Sequence, residues 1–313
     1  MRGTNINTQL PNMMMELTIL GTSSMVPTKE RNVSGYFLSV SNEGILLDCG
    51  EGTQRQMNIA GIKRTNVTRV LLSHWHGDHV AGLVGLLQTI GNAEPDKIVY
   101  VHGPKGTKKH VKHMLQSCVF ENKIKLVVNE HDIKKRTVIK ETQDWYIEAA
   151  PMTHSIPCIG YAISIKESLR IDVEKAKRLG IGEGPWMKQL SEGENVIVKG
   201  KKIKPEQITK IKSGKKIVYI PDTTPNKYIL ELAQDAEVML IESTYDHDLQ
   251  EKAEKYQHLT AVDCANMAQQ ANVKRLVLTH FSQRYKTTKK IEEDARSIFP
   301  EAVCAYDFMK IKI

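Results

Sequence analysis

Residues Ser73 to Val80 read SHWHGDHV, so three histidines and an aspartate fall within six consecutive positions, His74 to His79. Neutral imidazole nitrogen and carboxylate oxygen are donors that suit zinc, and a sharp turn after a strand can aim several of them at one point. His74 and His76, two apart in an extended segment, share a face, while Gly77 permits the turn that carries Asp78 and His79 toward a neighbouring position. Four donors in so short a run could serve two metal ions.

Three further apolar runs end in the same residue types: APMTHSIP offers His154, VYIPDTTP offers Asp222 and LVLTHFS offers His280. A lone histidine after a strand is ordinarily a surface or satisfied group. An HxHxDH run with three matching strand ends reads instead as a metal constellation. His102, His110, His113 and His131 lie in lysine-rich or polar stretches without ligand spacing and read as solvated, and Trp75, wedged between two donors, reads as packing or as support for those donors and not as a chemical group. The five cysteines, Cys49, Cys118, Cys158, Cys264 and Cys304, include no CxxC pair, so neither a disulfide framework nor a thiolate zinc site is expected. A reducing, cytoplasmic setting follows from that usage.

The elements that must position these donors read as an α/β protein. MELTILG, GYFLSV, GILLDCG, RVLLSH, KIVYVHG, WYIEAAPMTH, GYAISI, KIVYIPD, VMLIEST and RLVLTH have the β-branched and aromatic content of strands. HVAGLVGLLQTIG, GTKKHVKHMLQSC, NKYILELAQDA, TAVDCANMAQQA and KTTKKIEEDARSIF read as helices, the last with threonines available to cap its start. At 313 residues, with 41% hydrophobic and 26% charged content, the chain can bury a sizeable core as a single domain over 1–313. Residues 165–205 break the rhythm: they mix glycine, charge and a lone GPW, too little apolar content for a core of their own, and read as a protruding insertion.

Lysine and arginine number 44 against 36 acidic residues, a net charge of +8, which suits a polyanionic partner. No run of eighteen apolar residues exists and the first twenty positions lack a signal-peptide core, so membrane spanning and secretion are both disfavoured. The segment before Met13 reads as a leader or a misassigned start.

At these residues the chain resembles the metallo-β-lactamase superfamily, whose pattern is HxHxDH followed by a distant His, Asp and His. The resemblance spans nearly the whole chain and implies an αββα sandwich with the metal site at one sheet edge. Further stretches resemble the tRNA 3′-processing endonucleases of the tRNase Z type: LLDCGEGTQRQ for the early aspartate motif, PTKERN for the loop near the acceptor end, and GIGEGPWMKQLSEG for the tip of the protruding tRNA-binding arm. IEST and HLT are similar to the paired glutamate and histidine motifs, and HFSQRY to the last ligand motif with its trailing arginine. Three departures stand out: PDT at Asp222 in place of the usual GDT, Trp186 at the arm tip, and an extra Glu30 before Arg31.

The resemblance implies that His74, His76 and His154 hold one zinc, that Asp78, His79 and His280 hold a second, and that Asp222 bridges them, two Zn2+ per subunit. Such ions, about 3.5–4 Å apart, bring the pKa of a shared water toward about 7 and clamp phosphate oxygens. The implied reaction removes the 3′ trailer of precursor tRNA, leaving a 3′-hydroxyl on the tRNA and a 5′-phosphate on the trailer. Asp78 then accepts the water's proton, and His258, oriented by Glu242, protonates the departing 3′ oxygen. Arg31, Asn32, Gly184, Pro185 and Arg284 are the implied substrate contacts, and a homodimer the implied assembly. A thioester or lactam hydrolase on the same fold and a non-catalytic RNA-binding module are the competing readings; the filled ligand set argues against the second.

Overall fold

A computed structural model describes residues 14–313 apart from Glu183 and Lys199, so the leader before Met13 and the arm lysine Lys199 lie outside the described residues. Contacts divide the chain into two compact units, one of Met14–Ile163 with Lys216–Ile313, the other containing Ser164–Lys215.

In the larger unit, β1 (Met15–Gly21), β2 (Gly35–Val40), β3 (Glu43–Cys49), β4 (Arg69–Leu71), β5 (Ile98–Pro104) and β6 (Lys125–His131) join β18 (Lys310–Lys312) in a seven-stranded sheet, ordered β18-β1-β2-β3-β4-β5-β6. A second seven-stranded sheet is built of β7 (Thr137–Glu141), β8 (Trp145–Met152), β9 (Cys158–Ile165), β14 (Lys215–Ile220), β15 (Val238–Glu242), β16 (Leu276–Thr279) and β17 (Ala302–Cys304), ordered β17-β16-β15-β14-β9-β8-β7. Helices α1 (Thr53–Ile59), α3 (Leu83–Ala93) and α4 (Thr107–Gln116) bury Met57, Leu86, Ile90 and Val111 against the first sheet. On the second sheet α8 (Lys227–Ala233), α10 (Ala261–Gln270) and α11 (Lys289–Arg296) bury Leu232, Cys264 and Ile291 in the same way. The short α2 (Gly77–Val80) and α9 (Gln250–Tyr256) lead into and out of site loops.

Strand periodicity puts alternate residues on opposite faces, so β2 gives Phe37 to the helix side and Tyr36 to the other. Tyr36, Tyr161 and Tyr219, the largest fully buried side chains, cross between the sheets. Their hydroxyls end on Thr279 Oγ1 at 3.1 Å, the Leu72 carbonyl at 2.6 Å and Asp48 Oδ2 at 2.6 Å. Each buried hydroxyl is thereby satisfied by the opposite sheet, which fixes the spacing of the sandwich.

Strands β14, β15, β16 and β17 run parallel, with Ile220 level with Ile241 and Glu242 level with Thr279. Parallel strands present their C-terminal ends along one edge, where α/β sheets carry their sites. Asp222, Glu242 and His280 follow or close those strands and so come to that edge together. In the first sheet β3, β4 and β5 are parallel as well, which aligns Asp48 with the loop after Leu71.

Three expectations change. Thr260 caps α10 with a reciprocal capping box to Asp263, but Thr288 at the start of α11 makes no side-chain cap bond, so the available threonines are not used there. His102 is not solvated: it is 3% exposed, bonded to Arg69 Nη1 at 2.7 Å and stacked on His131, because β5 is an interior strand whose polar residue must find a buried partner. The third concerns the inserted segment. The smaller unit does have its own core, in which Ile181, Leu190, Val196, Ile203 and Ile208 are buried with Trp186 packed against them.

That unit pairs β10 (Ser168–Ile171) with β13 (Thr209–Lys212) and β11 (Val196–Val198) with β12 (Lys201–Ile203), around α5 (Val173–Arg178), α6 (Trp186–Ser191) and α7 (Pro205–Ile208). It therefore runs past Pro205, since β13 closes on β10. Pro185 precedes α6, and a Cβ at Gly184 would lie 2.5 Å from Trp186 Nε1, so the GPW turn needs its glycine for space. Among the described residues no helix is long and apolar enough to cross a membrane.

Candidate metal centre

Chain geometry gathers the sequence-selected donors at one sheet edge. The loop after β4 supplies His74 and His76, and α2 supplies Asp78 and His79; His154 follows β8, Asp222 follows β14 and His280 follows β16. His74, His79, Asp222 and His280 are buried, the last three at 0–3% exposure, so water is a poor partner for their polar atoms.

Their donor atoms form two sets. In the first, His74 Nε2 lies 3.1 Å from His76 Nδ1, which lies 3.2 Å from His154 Nε2; Asp222 Oδ2 is 3.8 Å and 4.0 Å from His74 and His154. In the second, His79 Nε2 lies 3.3 Å from His280 Nε2, and Asp78 Oδ2 is 3.5 Å and 3.4 Å from the two. Asp222 Oδ1 completes it at 3.5 Å from His79 and 3.3 Å from His280. One aspartate thus turns a separate oxygen to each set.

These separations match a cation better than a hydrogen-bond network. Four donors at about 2.1 Å from a tetrahedral zinc are about 3.4 Å apart. Asp222 Oδ1 is buried with no hydrogen-bond partner, an arrangement costly for a carboxylate unless a cation satisfies it. Asp222 is nonetheless held well below the usual carboxylate range: burial opposes ionisation, and His280, His79 and His258 outweigh it. Burial and the neighbouring His79 push His74 well down, which keeps its imidazole neutral and fit to ligate.

Three of the ring nitrogens turned away from the sets, those of His79, His280 and His74, are held from behind, whereas His154 Nδ1 is buried without a hydrogen-bond partner. Asp48 Oδ2 accepts from His79 Nδ1 at 2.7 Å and from Tyr219 Oη at 2.6 Å, while the Ser73 amide and hydroxyl each donate to the same carboxylate at 2.7 Å. Thr244 Oγ1 lies 2.9 Å from His280 Nδ1, and Ser73 Oγ 3.0 Å from His74 Nδ1. Such partners fix the ring and its tautomer. Asp48 and Thr244 each sit inside a quoted motif, LLDCG and IEST, but neither has ligand spacing, so membership of those motifs is the signal the sequence offers for them.

Glu242 and His258 lie at the margin of Asp222. Glu242 Oε1 accepts from His258 Nδ1 at 3.0 Å and from the Thr223 and Leu259 amides at 3.1 Å; Oε2 accepts from Thr244 Oγ1 at 2.7 Å and the Thr244 amide at 3.1 Å. His258 Nδ1, Asp222 and His280 also fall within 4.8 Å of one another, but that nitrogen is already committed to Glu242. Burial lowers the His258 pKa, whereas Glu242 and Asp222 more than offset it and raise it to about 9. With Nδ1 committed to Glu242, Nε2 is the ring nitrogen left for another partner.

Other expected contacts are spread more widely. Arg31 Nη2 donates to the Tyr285 and Ser282 carbonyls at 2.8 and 3.3 Å, and Asn32 Nδ2 to the Glu51 carbonyl at 2.8 Å, so both side chains tie down their own loop. The Asn32 amide donates to Asp307 Oδ2 at 2.7 Å, and Asp307 is pushed up to about 6 by burial. Met25, in the same loop, donates its amide to Asp78 Oδ2 at 2.8 Å. Arg284 lies 5.4 Å over the Tyr245 ring, which flanks His258. Gly184 and Pro185 belong to the smaller unit.

A family model described as "Anti-Pycsar protein Apyc1" matches residues 15–173, and one described as "Beta-lactamase superfamily domain" matches residues 207–281. Similar proteins over almost the whole length include Ribonuclease Z of Methanothermobacter thermautotrophicus, 38% identical over 96% of this chain and 97% of its own. Ribonuclease Z of Chlamydia abortus is 36% identical over 94% and 95%. The crystal structure of human tRNase Z, short form, shares the fold with a TM-score of 0.69 at 24% identity, over 95% of this chain and 98% of that one. A double donor set on a two-sheet sandwich and full-length relatives of one kind lead to the same place: the chain belongs to the ribonuclease Z family, hydrolytic endoribonucleases of the metallo-β-lactamase superfamily.

Proposed function

We propose that the chain removes the 3′ trailer of precursor tRNA with two zinc ions per subunit, leaving a 3′-hydroxyl on the tRNA and a 5′-phosphate on the trailer. The observation that carries this reading is the sharing of Asp222, Oδ2 toward His74, His76 and His154 and Oδ1 toward Asp78, His79 and His280, next to the His258–Glu242 pair. Zinc in those sets would supply Lewis-acid charge for a phosphoryl group and acidify water at neutral pH.

The chain's own groups do the rest. Met25 N donates to Asp78 Oδ2, the oxygen that faces the second donor set, which leaves Oδ1 to accept the proton of the attacking water. His258 Nε2 protonates the departing 3′ oxygen, and Glu242 keeps the Nδ1 proton in place. Arg31 and Asn32 shape the loop that receives the acceptor end, Arg284 lines the approach beside Tyr245, and the unit carrying Gly184 and Pro185 grips the tRNA body as an arm. Exposed lysines of that unit, Lys188, Lys201, Lys202 and Lys204, suit phosphate contacts. The family pattern supports a homodimer acting in the cytoplasm, with the arm of one subunit serving the other.

The test is a 3′-extended tRNA transcript incubated with and without a chelator, with the cut nucleotide and both new ends mapped. A single cut after the discriminator nucleotide, abolished by chelation and restored by zinc, is expected; random cutting or chelator-resistant cutting would refute the reading. An arm deletion separates grip from chemistry. A Cβ at Gly214 would lie 2.5 Å from the Ile165 carbonyl, so these two positions are close enough to rejoin. Joining them without the intervening segment should reduce precursor cleavage on the order of a hundredfold through lost phosphate contacts, while a small phosphodiester is still hydrolysed. Equal loss of both activities would make the segment structural.

A further inference from the structure

Trp75 stands between His74 and His76, and its surroundings go beyond packing. Its indole Nε1 donates to Thr107 Oγ1 at 2.9 Å, and the fully buried Thr107 hydroxyl gives its own proton to the Pro104 carbonyl at 2.7 Å. A hydroxyl engaged as both donor and acceptor cannot turn freely, so the indole plane is fixed. One helical turn on, His110 lies across that indole with centroids 4.9 Å apart and planes 28° from parallel. Its ring also overhangs Gly106, where a Cβ would come within 3.4 Å of His110 Cδ2. His110 is exposed, so the ring face turned away from Trp75 is open.

The charge around this stack has a direction. Successive helical residues turn by about 100°, which places Lys109 and His113 on the flank of His110 and Lys108 and Lys112 around the far side. Helix α4 contains no acidic residue. The nearby carboxylate of Glu130 is engaged by the Lys108 amide at 2.9 Å.

Resting on the nuclease reading above, we infer that His110, backed by Trp75, is a stacking platform for the first nucleobase of the single-stranded 3′ trailer, with Lys109 beside it for the trailer phosphate. Stacking on an aromatic ring tolerates any base, as a trailer of varied sequence requires. The trailer is the occupant because of the side on which the platform lies. The loop holding Met25 to Asn32 is tied to Asp78 in the second donor set, and in the proposed function that loop receives the acceptor end. Trp75 lies in the chain between His74 and His76 of the first set, so RNA that crosses Asp222 away from the loop leaves on the side of the His110 stack.

The experiment compares wild type, His110→Ala and His110→Phe on two precursors, one with an ordinary first trailer nucleotide and one abasic at that position. Loss of one base–aromatic stack should lower kcat/KM roughly 5- to 100-fold in His110→Ala on the ordinary precursor. The abasic precursor should cost wild type a similar factor and His110→Ala little more, and His110→Phe should retain most of the wild-type rate. Equal rates for wild type and His110→Ala, an equal drop of His110→Ala on both precursors, or a His110→Phe as slow as His110→Ala would each overturn the platform. Those results leave the nuclease reading standing, whereas a wild type that cuts neither precursor removes both.

Discussion

Asp222→Ala should release bound metal and bring precursor cleavage down by a thousandfold or more. Asp222 is 3% exposed, and its two carboxylate oxygens lie 3.3–4.0 Å from the facing nitrogens of four histidines. No other described side chain reaches both donor sets, so its loss separates them. Metal centres supply several kcal/mol of charge stabilisation to phosphoryl transfer, and each 1.36 kcal/mol is a factor of ten. The expected magnitude is therefore about 10³-fold at the least. Elemental analysis of the purified variant gives a readout independent of turnover: the content should drop below the roughly two ions per chain expected of wild type. A variant that keeps both its full metal content and its rate would show that the sets do not depend on Asp222.

His258→Ala should slow precursor cleavage about 10²- to 10⁴-fold, the range of a lost general acid, with metal content unchanged. Glu242 holds His258 Nδ1 at 3.0 Å and is itself held by four protein donors, so the ring is positioned even with 14% of its side chain open to solvent. The discriminating measurement is a nitrophenyl phosphodiester, whose leaving group needs no proton. The variant should recover most of its rate there. A loss of the same size on both substrates would mean that the imidazole supports the site instead of donating to the leaving oxygen.

The metal constellation was legible in the sequence because each donor ends an apolar run, and a parallel sheet brings such ends to one edge. His74, His76, His154, Asp222 and His280 were all found by that signal. Groups acting from behind were not. Asp48 and Thr244 touch no reacting atom, and their partners Tyr219 and His280 lie far away in the chain, so only the folded sheets reveal what they hold. Short strands such as β17 and β18 escaped notice because three residues carry too little periodicity to register. The core of the smaller unit escaped for a related reason: Ile181, Leu190, Val196, Ile203 and Ile208 are scattered singly among charges and meet only when the segment folds back on itself. His102 read as solvated because its lysine-rich neighbours on α4 face outward, whereas β5 carries it inward.

The bond from Tyr219 to Asp48 ties chemistry to architecture. Asp48 is clasped by Ser73 from its own sheet and by Tyr219 from the other, and the same carboxylate steers His79. Any slippage of one sheet over the other would therefore tilt His79 away from the other donors of its set. Catalytic competence and the integrity of the sandwich form one cooperative property, leaving little scope for a folded state that is intact yet idle.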